Sequence, residues 1–154
     1  MFFDWWSDIL LKKGFTLVEL VVVIAVLAIV AGIAIPRLKV ANSMARGSKI
    51  VADLNNCESS INIYYARNGK FPDNSSAFVG DSLSSWPEAP IGKAIITKNN
   101  GEELELDIKT RNYVYNKPDD SSELNARIGR VTLGGKTIED LLTTTASSLI
   151  LNDE

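Results

Sequence analysis

The sequence predicts an α+β fold in which a long N-terminal helix packs its outer half on a small antiparallel sheet. Three observations predict it. An apolar run near the N-terminus carries no charge from Leu20 to Ile35. Beyond it, apolar residues recur at Ile50, Leu54, Cys57, Ile61 and Tyr64, one face of an amphipathic helix. Further on, Asn99-Asn100-Gly101 separates two alternating segments, which is a strong hairpin signal.

The first element follows from length and polarity. Phe15 to Ile35 is 21 residues with Glu19 as its single charge. As a helix it spans roughly 31 Å at 1.5 Å per residue, the thickness of a bilayer's hydrocarbon core. A soluble core helix this apolar would need more partner surface than the polar remainder offers. Lys12 and Lys13 precede the run, and Arg37 and Lys39 follow it, so the nearest charges do not orient it. The long polar stretch after Pro36 is the natural exported part. A secretory signal peptide is the competing reading, with Ala31, Gly32 and Ala34 as small residues near a cleavage site. Such a signal gives no reason for an acid inside the apolar run, where acids are costly and mark functional sites.

The helix continues outward. Pro36 lacks an amide donor and should kink or loosen the turn reaching back to Gly32. Asn68-Gly69 supplies the stop, with Pro72 three residues after the glycine. Phe15 to Asn68 would run roughly 80 Å as one helix, so its outer half should lie on a sheet. Residues 70–92, with Pro72, Pro87, Pro90 and many serines, read as an irregular connection. Strands are expected at 93–98, 103–109, 111–116 and 127–133, with a polar turn at 117–122. Thr137 is the expected cap of a short helix running to about Leu149.

Composition narrows the function classes. The 154 residues support a single domain and little more. With 16 Lys+Arg against 19 Asp+Glu, the net charge of -3 offers no clustered basic footprint for nucleic acid. Histidine is absent, which excludes Ser-His-Asp and Cys-His nucleophiles and histidine metal sites. Cys57 is the one cysteine, so no internal disulfide, CxxC pair or cysteine zinc site forms. On the apolar helix face it reads as a small buried side chain, with an intermolecular bridge as the alternative. Asp119, Asp120 and Glu123 could ligate calcium, but three acids among serines are more often solvated, and calcium wants six to eight oxygens. No enzyme activity, cofactor or resident metal is expected.

Residues 12–20, Lys12-Lys13-Gly14-Phe15-Thr16-Leu17-Val18-Glu19-Leu20, closely resemble the processing signature of type IV pilins and type II secretion pseudopilins. The match includes the basic pair, the glycine, the phenylalanine, the glutamate four residues on, and an apolar run that breaks at Pro36. It is strong over residues 12–40 and weak beyond. Tyr64 to Pro72 also resembles the segment ending the long helix in many pilins and G-type pseudopilins, although a helix cap followed by an anchoring aromatic explains it equally. Asp4 and Asp8 cancel Lys12 and Lys13, a departure from the more basic leaders common in the family.

The resemblance implies that a prepilin peptidase cuts between Gly14 and Phe15 and methylates the new Phe15 amine. It implies a removed leader at 1–14, a transmembrane and assembly helix at 15–36, an amphipathic helix at 37–69 and an extracytoplasmic head at 70–154. Glu19 would pair with the Phe15 amine of a neighbouring subunit during assembly, since opposite charges attract strongly where water is excluded. The precursor would be a single-pass protein of the cytoplasmic membrane, and the mature form would sit in an extracellular or periplasmic filament. The implied partners are the peptidase, other copies of this chain or related pilins, membrane lipid and, indirectly, an inner-membrane platform protein and ATPase. A pseudopilin of type II secretion or of DNA uptake is the alternative. A membrane-anchored binding domain is the reading from another class, and Gly14-Phe15 with Glu19 argue against it.

Overall fold

The computed structural model describes residues 14–80, 82–118 and 130–153. They fall into two compact units, one ending at Lys39 and one beginning at Val40. Helix α1, Leu17–Asn68, contributes to both. In the first unit every described residue is exposed, because no other element is there to cover the apolar side chains.

In the second unit the same helix is amphipathic. Gly47, Ile50, Leu54, Cys57, Ser60 and Ile61 are buried along one face, and Tyr64 packs at its margin. This is the face that the apolar spacing predicts. The helix ends where expected: the Gly69 amide donates to Tyr65 O at 2.8 Å, and the Asn68 side-chain amide donates to Tyr64 O at 2.9 Å. The helix also runs through Pro36 without interruption. The missing proline amide leaves the Gly32 carbonyl without its usual donor, yet the turn stays helical.

Against the buried face lies a three-stranded sheet. Strands β1, Gly92–Thr97, and β2, Glu103–Ile108, form the expected antiparallel hairpin, with Thr97 opposite Glu103. Its turn is closed by the Gly101 amide on Lys98 O at 3.0 Å and the Lys98 amide on Glu102 O at 2.8 Å. Gly101 has φ 86, a left-handed conformation that favours glycine. Alternation turns Ala94, Ile96, Leu104, Leu106 and Ile108 inward, where all are buried. Burying each large apolar side chain contributes about 1.5–3 kcal/mol.

The remaining elements differ from expectation. The residues expected at 111–116 and 127–133 give β3, Tyr113–Tyr115, and β4, Val131–Leu133, which pair with each other in a separate two-stranded sheet. Residues 127–129 lie outside the described residues. The expected C-terminal helix stops early. Helix α2 is Ile138–Thr143, opened by a capping box between Thr137 and Asp140. Thr144 leaves helical geometry, and Ser148–Leu151 forms β5 instead. This strand pairs in parallel with β2, so the sheet order is β1-β2-β5 and the sheet is mixed. A run of β-branched threonines is poor helix, and strand geometry buries Leu151 in the core.

Two of the contacts that hold α1 to the head, beyond its apolar face, stand out. The first is steric. A Cβ added to Gly47 would sit 1.8 Å from Ile95 O, so only glycine lets the helix approach the open edge of β1. Gly47→Ala gains about 1 kcal/mol of helix propensity but must push strand and helix apart. Overpacking of up to about 3 kcal/mol less that gain leaves a net loss of up to about 2 kcal/mol, read as a lower thermal midpoint of the full-length chain in detergent. An unchanged midpoint would contradict this packing.

The second contact is ionic. Glu58 on α1 meets Arg130 at the start of β4, with side chains 14% and 3% exposed. Arg130 Nε donates to Glu58 Oε2 at 3.0 Å, and Nη2 donates to Asn62 Oδ1 at 2.7 Å. Glu58 Oε1 also accepts the Val131 amide at 2.8 Å. The guanidinium carbon lies 5.1 Å from the centre of the Phe71 ring. One carboxylate thus holds a buried cation and the first amide of a strand.

Candidate functional site

The candidate site is the start of α1. Helix formation there is set by Thr16 and Glu19. The Thr16 amide and hydroxyl both donate to Glu19 Oε2 at 2.9 Å, and the Glu19 amide donates to Thr16 Oγ1 at 3.2 Å. This reciprocal pattern is a capping box, with Thr16 as the cap and Glu19 three residues on. An acid in the first turn also complements the helix dipole. Glu19 therefore has a local role: it finishes its own helix. One carboxylate oxygen takes both bonds, and none of the bonds above uses Oε1.

Around this cap the apolar surface is open. Phe15 is 81% exposed and Leu17 78%. The most apolar 18-residue window of α1 has a mean hydropathy of 3.0, and none of it is buried. It is the one helix among the described residues that is long and apolar enough to cross a membrane. Gly14 is exposed, and a Cβ there would meet nothing within 4 Å. Its backbone is not left-handed either, so nothing in the fold requires glycine at that position.

A family profile described as a prokaryotic N-terminal methylation motif matches residues 10–35. The major component of the type IV wide pilus of Thermus thermophilus is 37% identical over 75 residues, 49% of this chain and 57% of that protein. A type IV major pilin of Neisseria gonorrhoeae is 30% identical over 128 residues, 82% of this chain and 64% of that protein. The type II secretion system core protein G of Klebsiella pneumoniae is 26% identical over 142 residues, 81% of this chain and 98% of that protein. Residues 10–35 carry the N-terminal methylation motif, and the chain is similar to type IV pilins and to a type II secretion core protein. It spans between about half and two thirds of the length of the first two of these relatives. No solved structure gives a significant match.

Gly14, Phe15 and Glu19 come together at one helix start, while Gly32 and Pro36 lie further along the same helix. Thr16 joins them, and sequence reasoning passed over it. The signal was present, since Thr-x-x-Glu ahead of an apolar run is the sequence form of a capping box. Asp119, Asp120 and Glu123 lie outside the described residues. Among the described residues no group of three acids or cysteines converges on a metal-sized site.

Cys57 is fully buried on the helix face that packs on the head. Burial, with Asp53 and Glu58 nearby, pushes its thiol up to about 12. It is an inert packing residue, and an intermolecular bridge would require the head to open first.

Proposed function

We propose that this chain is the structural subunit of a type IV pilus or a related pilus-like filament. It is made as a membrane precursor, cut between Gly14 and Phe15, methylated on the Phe15 amine, and assembled into a helical fibre. The observation that carries this reading is the N-terminal segment itself: Gly14, Phe15 and the Thr16–Glu19 cap ahead of a fully uncovered apolar helix.

Several features support the reading. Large apolar surface stays exposed only where lipid or another protein covers it. The helix from 15 to 36 would lie in the membrane first and against other copies afterwards. Ala25, Ala28, Ala31, Gly32 and Ala34 permit close helix approach in the fibre core. Head-to-tail contacts between identical subunits that do not close a ring extend into open filaments. Gly14, unexplained by the fold, is what a peptidase cleaving beside it would demand. The leader at 1–14 would remain with the membrane, and the residues from 37 onward would stand outside it.

In this scheme Glu19 has two successive partners. Within the bilayer, Thr16 satisfies one carboxylate oxygen. During assembly the other oxygen meets the Phe15 amine of a neighbouring copy. The peptidase, an inner-membrane platform and an ATPase would supply cleavage, docking and force. A pseudopilin that builds a short retained fibre is the second reading, favoured by the alignment that covers nearly all of the core protein G relative.

Co-expression with a prepilin peptidase, a platform protein and an assembly ATPase tests the proposal, with electron microscopy of sheared material as the readout. Fibres containing this chain are expected. Long surface fibres would favour the pilus and short retained ones the pseudopilin. A chain that stays uncut and yields no fibre would overturn both.

A further inference from the structure

The filament reading uses the start of α1 and leaves the connection between helix and sheet unexplained. That connection carries Asn74-Ser75-Ser76, an Asn-x-Ser sequence whose middle residue is not proline. This is the acceptor pattern for N-linked glycan transfer, and it belongs on surface loops of exported proteins. No other asparagine of the chain has serine or threonine two positions on.

The structure presents this tripeptide as an acceptor would need to be presented. Asn74 and Ser76 are exposed. Asn74 precedes the 3-10 turn Ser75–Ala77 with an extended backbone, φ -155 and ψ 171, and its side chain makes no capping bond to that turn. Asparagine before a helical turn commonly spends its side chain on such a cap. Here the amide is left to project outward. The flanks are fixed: Phe71, Pro72 and Phe78 are buried, and Asp73 is paired with Lys117 at 2.7 Å. A firm base therefore lifts a short exposed tip whose modification would disturb no packed side chain.

We infer that Asn74 is an N-glycan acceptor on the exported face of the head, with a lipid-diphosphate-linked oligosaccharide as donor. Transfer forms a bond between Asn74 Nδ2 and the anomeric carbon of the first sugar. It breaks the bond from that carbon to the diphosphate. The lipid diphosphate leaves, and the amide proton passes to a base of the transferase. The inference rests on the proposed export of the head, since the transferase would meet the loop only there.

Intact-mass spectrometry of the full chain purified from its native host tests this, alongside Asn74→Gln, Ser76→Ala and Ser76→Thr. The wild-type chain is expected to exceed its processed polypeptide mass by one or more sugar residues. Asn74→Gln and Ser76→Ala should lose that increment, and Ser76→Thr should keep it, because threonine preserves the acceptor pattern. A cleaved, exported wild-type chain at bare polypeptide mass overturns the inference and leaves the filament reading standing. An increment that survives Asn74→Gln overturns it too, by placing the sugar on a serine or elsewhere. An uncut chain retained inside the cell overturns both.

Discussion

Glu19→Ala chains are expected to insert and to be cut after Gly14, but to yield at least about tenfold fewer filaments than wild type, the loss expected when one partner of a desolvated ion pair is removed. Insertion survives because the substitution removes a polar group from the apolar run. Cleavage survives because the peptidase reads Gly14 and its neighbours. Assembly fails because the Phe15 amine would enter the fibre core without an acid to meet it.

The capping box sharpens this experiment. Alanine removes both the charge and the helix cap. Glu19→Gln keeps an oxygen that can accept from Thr16 but loses the charge, so it isolates the pairing role. Filament yield for Glu19→Gln should stay near that of alanine. Glu19→Asp keeps the charge with a shorter reach and should be intermediate. Wild-type filament yield from the glutamine variant, at equal protein level, would reduce Glu19 to a cap.

Glu58→Ala should lower the head's stability by about 3–5 kcal/mol, because it removes one partner of a buried ion pair. Arg130 would lose the Glu58 carboxylate while keeping Asn62 and the Phe71 ring, and the Val131 amide would lose its acceptor. Against a total of roughly 5–15 kcal/mol for a domain, that brings the fold close to failure. The effect is read as the loss of sheet signal on heating the full-length chain in detergent. Glu58→Gln keeps one acceptor oxygen but sets a donor NH2 where the other carboxylate oxygen sits, so it should fall between alanine and wild type. A loss under about 1 kcal/mol for alanine would mean that water reaches Arg130 and that the pair behaves like a surface one.

The parts of the fold legible in the sequence are those written locally. The spacing from Ile50 to Tyr64 names the helix face that packs, and Asn99-Asn100-Gly101 names the hairpin. Gly14, Phe15 and Glu19 stand out for the same reason, since the proposed peptidase and a helix start would both read a short stretch of chain. Distant pairings are harder to see. Leu106 of β2 finds Leu149 of β5 in parallel, and no local pattern announces so distant a partner. The threonines at 143–145 read as a weak helix, while the strand that follows is decided by what it can bury. Gly47 looks like an ordinary weak point in a helix until Ile95 O is seen against it. Glu58 and Arg130 lie 72 positions apart with no local signal that links them, and only the fold brings them together. Thr16 is a different case. Its capping signal is local and visible, but the family resemblance gives Glu19 a different explanation and draws attention away from it.

The most direct test of the account is tandem mass spectrometry of the N-terminal peptide from native protein. The account predicts a chain that begins at Phe15 with one methyl group on its amine, and a Gly14 variant with a bulky side chain that keeps the uncut precursor in the membrane. A wild-type chain that begins at Met1, or one that begins after Ala31 or Ala34 as a secretory signal would leave it, would contradict the account.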